Sequence, residues 1–329
     1  MLEISNEKLK VTPTIDGIFG FAIADAVGVP AEFKSRSTLS IRPITDMVGY
    51  GTHNQPEGTW SDDSSMTIAT LDSISECGTI NYDDMMRKFT EWERNSKYTA
   101  TGEFFDIGIS TSNAISQYAH GVAPIECGGT GIRDNGNGSL MRILPVVLYL
   151  HEQDLSYEEE TRIINESSSL THGHEISKMG CRVYADYIKS LLDGNSKEEA
   201  LENLSMIDYS NHYSNETIEY YRRILEGTIV DLPENKIKST GFVVDTLEAS
   251  IWCAHNSKDY KTSVLKAVNL GDDTDTVGAV TGSITGLIYG YENIPQNWRN
   301  KLKSKEYLLK ICQNFDKTLS SCKEKVKSK

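Results

Sequence analysis

Residues 269–291 read NLGDDTDTVGAVTGSITGLIYGY. The stretch opens with three acids in four positions, Asp272, Asp273 and Asp275, closed by the hydroxyl of Thr276. Glycine then recurs at 278, 282, 286 and 290. Positions four apart share one face of a helix, so the spacing predicts a helix with one side bare of side chains. Each glycine in a helix interior costs roughly 1 kcal/mol relative to alanine, which very close approach to a neighbouring backbone would offset. The same spacing marks some membrane helices. Here the apolar part falls short of the ~20 residues a span needs and includes Thr281, Ser283 and Thr285. The expectation is a buried helix in a soluble protein, its acidic start aimed at something cationic.

A second small-residue helix is expected within residues 14–33, TIDGIFGFAIADAVGVPAEF, where Gly17, Gly20, Ala24 and Gly28 follow 3–4 spacing. Val29-Pro30 ends it, and Glu32 lies on the emerging loop, where a solvated acid is the ordinary alternative. After the turn-rich residues 51–56 comes Gly58-Thr59-Trp60-Ser61-Asp62-Asp63, followed by an amphipathic run. Ser61 is a natural N-cap, and acids in the first turn complement the helix dipole. Capping alone would account for all three residues. Yet two carboxylates beside a hydroxyl repeat the chemistry of Asp273, Asp275 and Thr276. Two oxygen-only clusters at opposite ends of the chain can meet only through the fold, and together they suit hard cations.

Other stretches carry weaker signals. Asp106 stands between apolar residues in FFDIG, as a buried acid in need of a partner would. Residues 128–138, GGTGIRDNGNG, have glycine at five of eleven positions and run into Ser139-Leu140-Met141-Arg142. A loop rich in free N–H groups before a helix can cradle a phosphate, although it matches neither Walker A nor GxGxxG. The pair His172 and His174 has no further His or Cys cluster to make a zinc site. Residues 178–238 read as polar helices without chemistry, and residues 240–249 as the start of a core helix carrying Trp252. Residues 142–150 fit helix or strand, Pro295 is expected to stop the glycine helix, and a lysine-rich helix with a frayed basic tail, CKEKVKSK, ends the chain. The periodicities predict an all-α protein of many helices, one domain over residues 1–329.

A formal charge of −14 over 329 residues excludes a general nucleic-acid-binding surface, which needs a basic face. Six cysteines without a CxxC fit reduced thiols and a cytoplasmic location. The start MLEISNEKLK lacks an apolar secretory core, and no stretch is expected to reach membrane-spanning length.

With both acidic clusters in hand, the chain resembles the ADP-ribosylglycohydrolase family from about Gly17 to Trp298. Residues 17–32 resemble the opening glycine-rich helix ending in Pro-x-Glu. Gly58-Thr59-Trp60-Ser61-Asp62-Asp63 is similar to the tryptophan and threonine-aspartate-aspartate segment, with serine replacing threonine. Phe105-Asp106-Ile107-Gly108 resembles the active-site loop aspartate of bacterial members. Asn137-Gly138-Ser139-Leu140-Met141-Arg142 resembles the substrate loop, and Thr171-His172-Gly173 the later histidine segment. Gly271-Asp272-Asp273-Thr274-Asp275-Thr276 is similar to the C-terminal aspartate-threonine-aspartate-threonine motif. Several of these are loose singly; six in order are specific.

The resemblance implies an all-α orthogonal bundle with two Mg²⁺ (or Mn²⁺) ions in a cleft, held by Ser61, Asp62, Asp63, Asp273, Asp275 and Thr276. It implies hydrolysis at C1″ of ADP-ribose attached to an acceptor, a modified protein arginine or another group, by a monomer that releases ADP-ribose. Asp62 or Glu32 would handle the water proton and Asp106 the ribose or the leaving guanidine. Substrate contacts would fall at Asp134, Asn135, Asn137, Gly138, Ser139, Met141 and His172 as well as Asp106. The rival of a different class is a binding or immunity protein that kept the fold and lost turnover; the full set of acids argues against it. The string Asp273-Thr274-Asp275-Thr276-Val277 also fits a DxDxT/V phosphatase box, but it lies late in the chain after a helical run. An EF-hand fails for want of glycine and glutamate at the required loop positions.

Matched to the motif, Asp272 is the non-ligand of the three acids. Titration calorimetry with Mg²⁺ should therefore find Asp272→Asn close to wild type and both Asp273→Asn and Asp275→Asn severely weakened. Equal loss at all three would show the register to be wrong.

Overall fold

Thr12 closes the first turn of the first helix, its hydroxyl accepting from the Ile15 N–H at 3.2 Å, and Pro13 takes the first helical position, where no N–H is needed. The computed structural model describes residues 10–327, with side chains through Cys322. Fifteen α-helices follow in order. They are α1 (Pro13–Gly28), α2 (Arg36–Ile41), α3 (Asp62–Cys77), α4 (Tyr82–Asn95), α5 (Ile109–Ala119), α6 (Leu144–His151), α7 (Tyr157–Ser169) and α8 (Glu175–Leu192). The second half adds α9 (Lys197–Leu204), α10 (Asn215–Leu225), α11 (Val243–His255), α12 (Tyr260–Asn269), α13 (Thr274–Tyr289), α14 (Gln296–Lys301) and α15 (Lys305–Lys327). Among the described residues there is no strand, only three isolated bridges, so the fold is all-α as the periodicities require. The ambiguous residues 142–150 are helical from Leu144.

The two small-residue helices are each other's partners. A Cβ built on Gly20 would lie 2.4 Å from the Gly282 carbonyl oxygen, and one on Gly282 would lie 2.3 Å from that of Gly20. Gly286 meets the Asp16 carbonyl in the same way at 2.2 Å. At these glycines the facing backbone occupies the place a side chain would take. Buried hydroxyls then satisfy the crowded carbonyls: Tyr260 Oη donates to Gly20 O at 2.6 Å and Ser250 Oγ to Val277 O at 3.3 Å. Helices α11 and α12 pack against α13, while α3, α12 and α15 pack against α1, so the pair lies at the centre of one contiguous apolar core.

Three expectations need correction. Residues 13–31 do form a helical run of 19 residues, mean hydropathy 1.3, long and apolar enough to cross a membrane; 94% of its apolar window is buried inside the protein. A helix covered on all sides by other helices is apolar all round for that reason. The glycine helix stops at Gly290, whose φ of 83° no other residue type adopts easily, and Pro295 instead caps α14. At the C-terminus the backbone stays helical through Lys327 where fraying was expected; Ser328 and Lys329 lie outside the described residues. Most of MLEISNEKLK, residues 1–9, lies outside them as well.

The seam makes a graded prediction. Gly282→Ala drives a methyl into backbone and should cost about 1–3 kcal/mol in urea unfolding. Gly17→Ala meets only the movable end of Leu144 at 3.2 Å and should cost much less. Equal costs would mean that the seam is not the tight contact it is here.

Candidate active site

The upper end of the seam builds the site. Gly28, at the end of α1, lies against the start of α13; a Cβ there would fall 2.4 Å from both Asp275 Cα and Thr274 O. Thr274 Oγ1 donates to Gly28 O at 2.8 Å, tying the two helix ends together. One turn back along α1, Asp25 is fully buried and receives the N-terminus of α3. The Ser61 N–H reaches its two oxygens at 3.0 and 3.1 Å, the Ser64 N–H at 3.1 Å, and Ser64 Oγ–H at 2.5 Å. A carboxylate on another helix thus takes up backbone donors that α3 leaves unsatisfied. Ser61 also performs the expected N-cap role, its hydroxyl accepting from the Asp63 N–H at 3.2 Å.

The acids of the two clusters meet. Thr276 Oγ1 donates to Asp63 Oδ1 at 3.2 Å across a sequence separation of 213 residues. Four overlapping groups have ligand atoms all within 4.8 Å of one another: Asp25, Asp63 and Asp275; Glu32, Asp273 and Asp275; Asp62, Asp106 and Asp275; and Glu32, His53 and Asp106. Asp275 is common to three of them. Asp272, by contrast, is exposed, held in a left-handed conformation (φ 61°) by backbone bonds with Phe33 and Lys34.

Loops complete the rim. Glu32 follows α1 and is bonded by His53 Nε2, whose ring lies against Phe105 at 5.2 Å. Asp106 is half-buried in the loop between α4 and α5, with a left-handed backbone (φ 58°) that is uncommon outside glycine. Asn137 donates to Asp273 Oδ2 at 2.8 Å and to Thr246 Oγ1 at 2.9 Å, so the glycine-rich loop is pinned to the head of α13. That loop leads into a three-residue 3₁₀ turn, Leu140–Arg142, rather than directly into an α-helix. Asn135 and Asp134 stabilise the loop itself: Asn135 Oδ1 accepts from Ser177 and Asp134 Oδ2 from the Gly131 N–H at 2.9 Å. Ser139 and Met141 are buried beneath it, Ser139 bonded by Ser168 Oγ at 2.9 Å. His172 is buried beside Gly136 and Gly138.

Reasoning from the residues passed over Asp25, His53 and Thr246. Asp25 left a usable trace, a lone acid inside the apolar run FAIADAVG, where burial demands a partner. His53 and Thr246 left none, since each matters only through what the fold brings to it.

The electrostatics are one-sided. Burial raises Asp62, Asp63 and Asp275 well above the usual carboxylate range, and neighbouring acids raise them further, with no basic side chain among the main influences. Burial carries Asp25 to about 7 against the pull of its hydrogen bonds from Ser64 and Ser61. Glu32 also rises to about 7, burial outweighing the bond from His53, with Asp106 and Asp273 adding to the rise. His53 rises chiefly through its bond to Glu32. Asp63 Oδ2 is buried with no hydrogen-bond partner. Crowded carboxylates with an orphaned oxygen and no compensating cation are what hard, oxygen-loving divalent ions require. The residues present fit such ions.

Comparison with known proteins follows the same lines. A family model described as ADP-ribosylglycohydrolase matches residues 14–324. The chain belongs to the ADP-ribosylglycohydrolase family. It is 32% identical over 302 residues to the ADP-ribosylarginine hydrolase Tri1 of Serratia proteamaculans, covering 91% of this chain and 77% of that one. It is 25% identical to the ADP-ribosyl-[dinitrogen reductase] glycohydrolase of Rhodospirillum rubrum, over 88% of this chain and 90% of that one. A solved structure titled "ADP-ribosylglycohydrolase-related protein complex" superposes with a TM-score of 0.78 at 27% identity, covering 93% of this chain and 98% of that one. The family is one of enzymes, and the clustered acids of this chain could hold a metal ion.

A pH dependence follows from the uncompensated acids. Asp25 and Glu32 keep protons up to about 7 in the fold, whereas unfolded carboxyls release theirs near 4. Between those values the folded state binds more protons, so the cluster's contribution to stability is full below the unfolded pKa and is lost as pH rises through about 7. Unfolding in EDTA should show lower stability at pH 8 than at pH 5.5. Saturating Mg²⁺ at pH 8 should recover it, by about 2.7 kcal/mol at a hundred times the dissociation constant. Asp63→Asn removes one of the raised carboxyls, so it should lessen the pH slope and abolish the Mg²⁺ gain; a cation-insensitive wild type at pH 8 would contradict this account.

Proposed function

We propose that this protein is a divalent-cation-dependent hydrolase that removes ADP-ribose from modified arginine by cleaving the C1″–N bond. The observation that carries the reading is the meeting of Asp62, Asp63, Asp273 and Asp275 beside Glu32 and Asp106, on a rim shared with the glycine-rich loop. Relatives named for hydrolysis of ADP-ribosylarginine and of ADP-ribosylated dinitrogen reductase support the substrate class.

Ser61, Asp62, Asp63, Asp273, Asp275 and Thr276 would hold two Mg²⁺ or Mn²⁺ ions. Such ions bind ribose hydroxyls and acidify water. Asp25 acts beneath them: its oxygens are committed to the N–H groups of α3, which fixes Asp62 and Asp63 in place. Glu32 or Asp62 accepts the proton of the attacking water, and with Glu32 the His53 bond sets the direction of its carboxylate. Cleavage passes through an oxocarbenium-like state that the surrounding carboxylates stabilise. Asp106 faces the same space and orients the ribose or the departing guanidine, which leaves with a proton as water oxygen bonds to C1″. The Asn137 N–H is already bonded to Gly241 O at 2.9 Å, so the diphosphate falls to the N–H groups of Gly138 and Ser139. Asp134, Asn135 and Met141 support the loop from within, and His172 lies at its edge.

Incubation of an ADP-ribosylarginine peptide with the protein and Mg²⁺ should release free ADP-ribose, and EDTA should stop it. Asp62→Asn should reduce the rate at least ~10²-fold. Cation binding without release would favour a binding or immunity role, and unchanged turnover in the Asp62 variant would remove that residue from the reaction.

A further inference from the structure

Arg142 is fully buried and has no carboxylate partner. Its Nη2 donates to Ser167 O at 3.0 Å and to Thr171 Oγ1 at 2.8 Å; among the described residues Nε and Nη1 have no hydrogen-bond partner. The Phe89 ring lies 5.0 Å from its guanidinium. A buried, half-satisfied cation is costly. A structural reason exists in part, since Ser167 belongs to the last turn of α7, where a cation is favourable. That reason does not account for the bond to Thr171.

Thr171 Oγ1 is itself fully buried and has two polar neighbours, Arg142 Nη2 and His172 Nδ1, the latter at 2.8 Å. Arginine can only donate. The hydroxyl proton of Thr171 therefore has one acceptor within reach, the lone pair of His172 Nδ1. A neutral imidazole that accepts at Nδ1 carries its proton on Nε2. Burial and then the Arg142 charge lower His172 to about 3, so the ring is neutral throughout the physiological range.

Nε2 makes no hydrogen bond among the described residues, although His172 is only 3% exposed. It points at the glycine-rich loop: a Cβ on Gly136 would lie 3.2 Å from it, and one on Gly138 would lie 2.7 Å from the adjacent Cε1. An unpartnered donor on a side chain nine-tenths buried thus lies directly against two glycines, packed so closely that a Cβ on Gly138 would meet the ring.

We propose that Arg142 and Thr171 are positioning residues that lock His172 as the neutral Nε2–H tautomer, presenting a fixed donor to an oxygen of the ligand held against Gly136 and Gly138. Arg142 pins the hydroxyl, the hydroxyl pins Nδ1, and the remaining proton of the ring faces the loop. A neutral donor fits there, where an imidazolium would meet the charge of Arg142. The identity of the ligand oxygen, as one of ADP-ribose, rests on the hydrolase reading; the tautomer does not.

The test uses the full chain labelled with ¹⁵N-histidine. Long-range ¹H–¹⁵N correlation of the wild type should give a protonated Nε2 and an unprotonated Nδ1 for His172 from pH 5.5 to 8. Thr171→Val should shift the ring towards Nδ1–H, and calorimetry with ADP-ribose and Mg²⁺ should show affinity about 10-fold weaker. Thr171→Ser should restore both, which a merely structural role for the threonine methyl would not predict. An Nδ1–H or doubly protonated wild-type ring overturns the proposal, as does an unchanged tautomer in Thr171→Val. A shifted tautomer with unchanged affinity overturns the ligand-facing role. Failure of the wild type to bind ADP-ribose with the tautomer in place overturns the hydrolase reading and leaves the relay supported.

Discussion

The contact on which the rest depends is that of two peptide backbones, α1 against α13 through Gly20, Gly282 and Gly286. Glycine weakens an isolated helix, yet only glycine lets a second helix come this near. The gain is positional. With the seam this tight, the end of α1 abuts the start of α13, and carboxylate oxygens of Asp25 and Asp275 come within 4.8 Å of each other although 250 residues part them. A side chain at Gly20, Gly282 or Gly286 would push the helices apart and dilute that convergence before it disturbed any acid directly.

Gathering those acids creates the opposing term. Like charges in a buried space repel, and desolvation penalises each of them. The protein compensates with backbone rather than with lysine or arginine: the start of α3 donates two N–H groups to Asp25, and α13 opens with its N-terminus beside Asp273 and Asp275. Helix N-termini carry partial positive charge, which is too little for this many carboxylates. Asp63 Oδ2 remains without a partner. The deficit is what distinguishes a site built to receive cations from a structural ion-pair network. The network of Arg182, Asp186 and Glu160 elsewhere in the same protein, where each acid has a cation beside it, makes the contrast.

What could be read from sequence followed from local periodicity. The four-residue spacing of Gly278, Gly282 and Gly286 gave a bare helix face, and Ser61 with Asp62 and Asp63 gave a helix start, because both are properties of a few neighbouring residues. That the bare face belongs to α1 was not legible, since two glycine seams carry no mark of their pairing. The end of α13 was misplaced because Pro295 is the louder breaker, whereas Gly290 acts through a left-handed φ that composition alone does not announce. Asp106 was legible as an acid among apolar residues. The same rule would have reached Asp25, which was hidden by the helix pattern around it. His53 joins the site beside Glu32 and Asp106, and Thr246 through Asn137, by the fold alone, so no local pattern could have singled them out.

The glycine-rich loop lies between two regions of opposite charge. On one side Asn137 ties it to Asp273 and the acidic cluster. On the other, His172 separates it from the unpaired guanidinium of Arg142. A buried charge acts over a longer range than an exposed one because little water screens it. A ligand with an anionic diphosphate and a neutral, hydroxyl-rich sugar experiences those two fields differently. On the proposed hydrolase reading, the phosphates would be favoured on the Arg142 side and the sugar left for the acids. The neutral imidazole between them keeps the two charges apart. A protonated His172 would place a second positive charge beside Arg142, and that charge disfavours it. Burial and Arg142 together hold it neutral, so the cation that is costly to bury also maintains the asymmetry of the site.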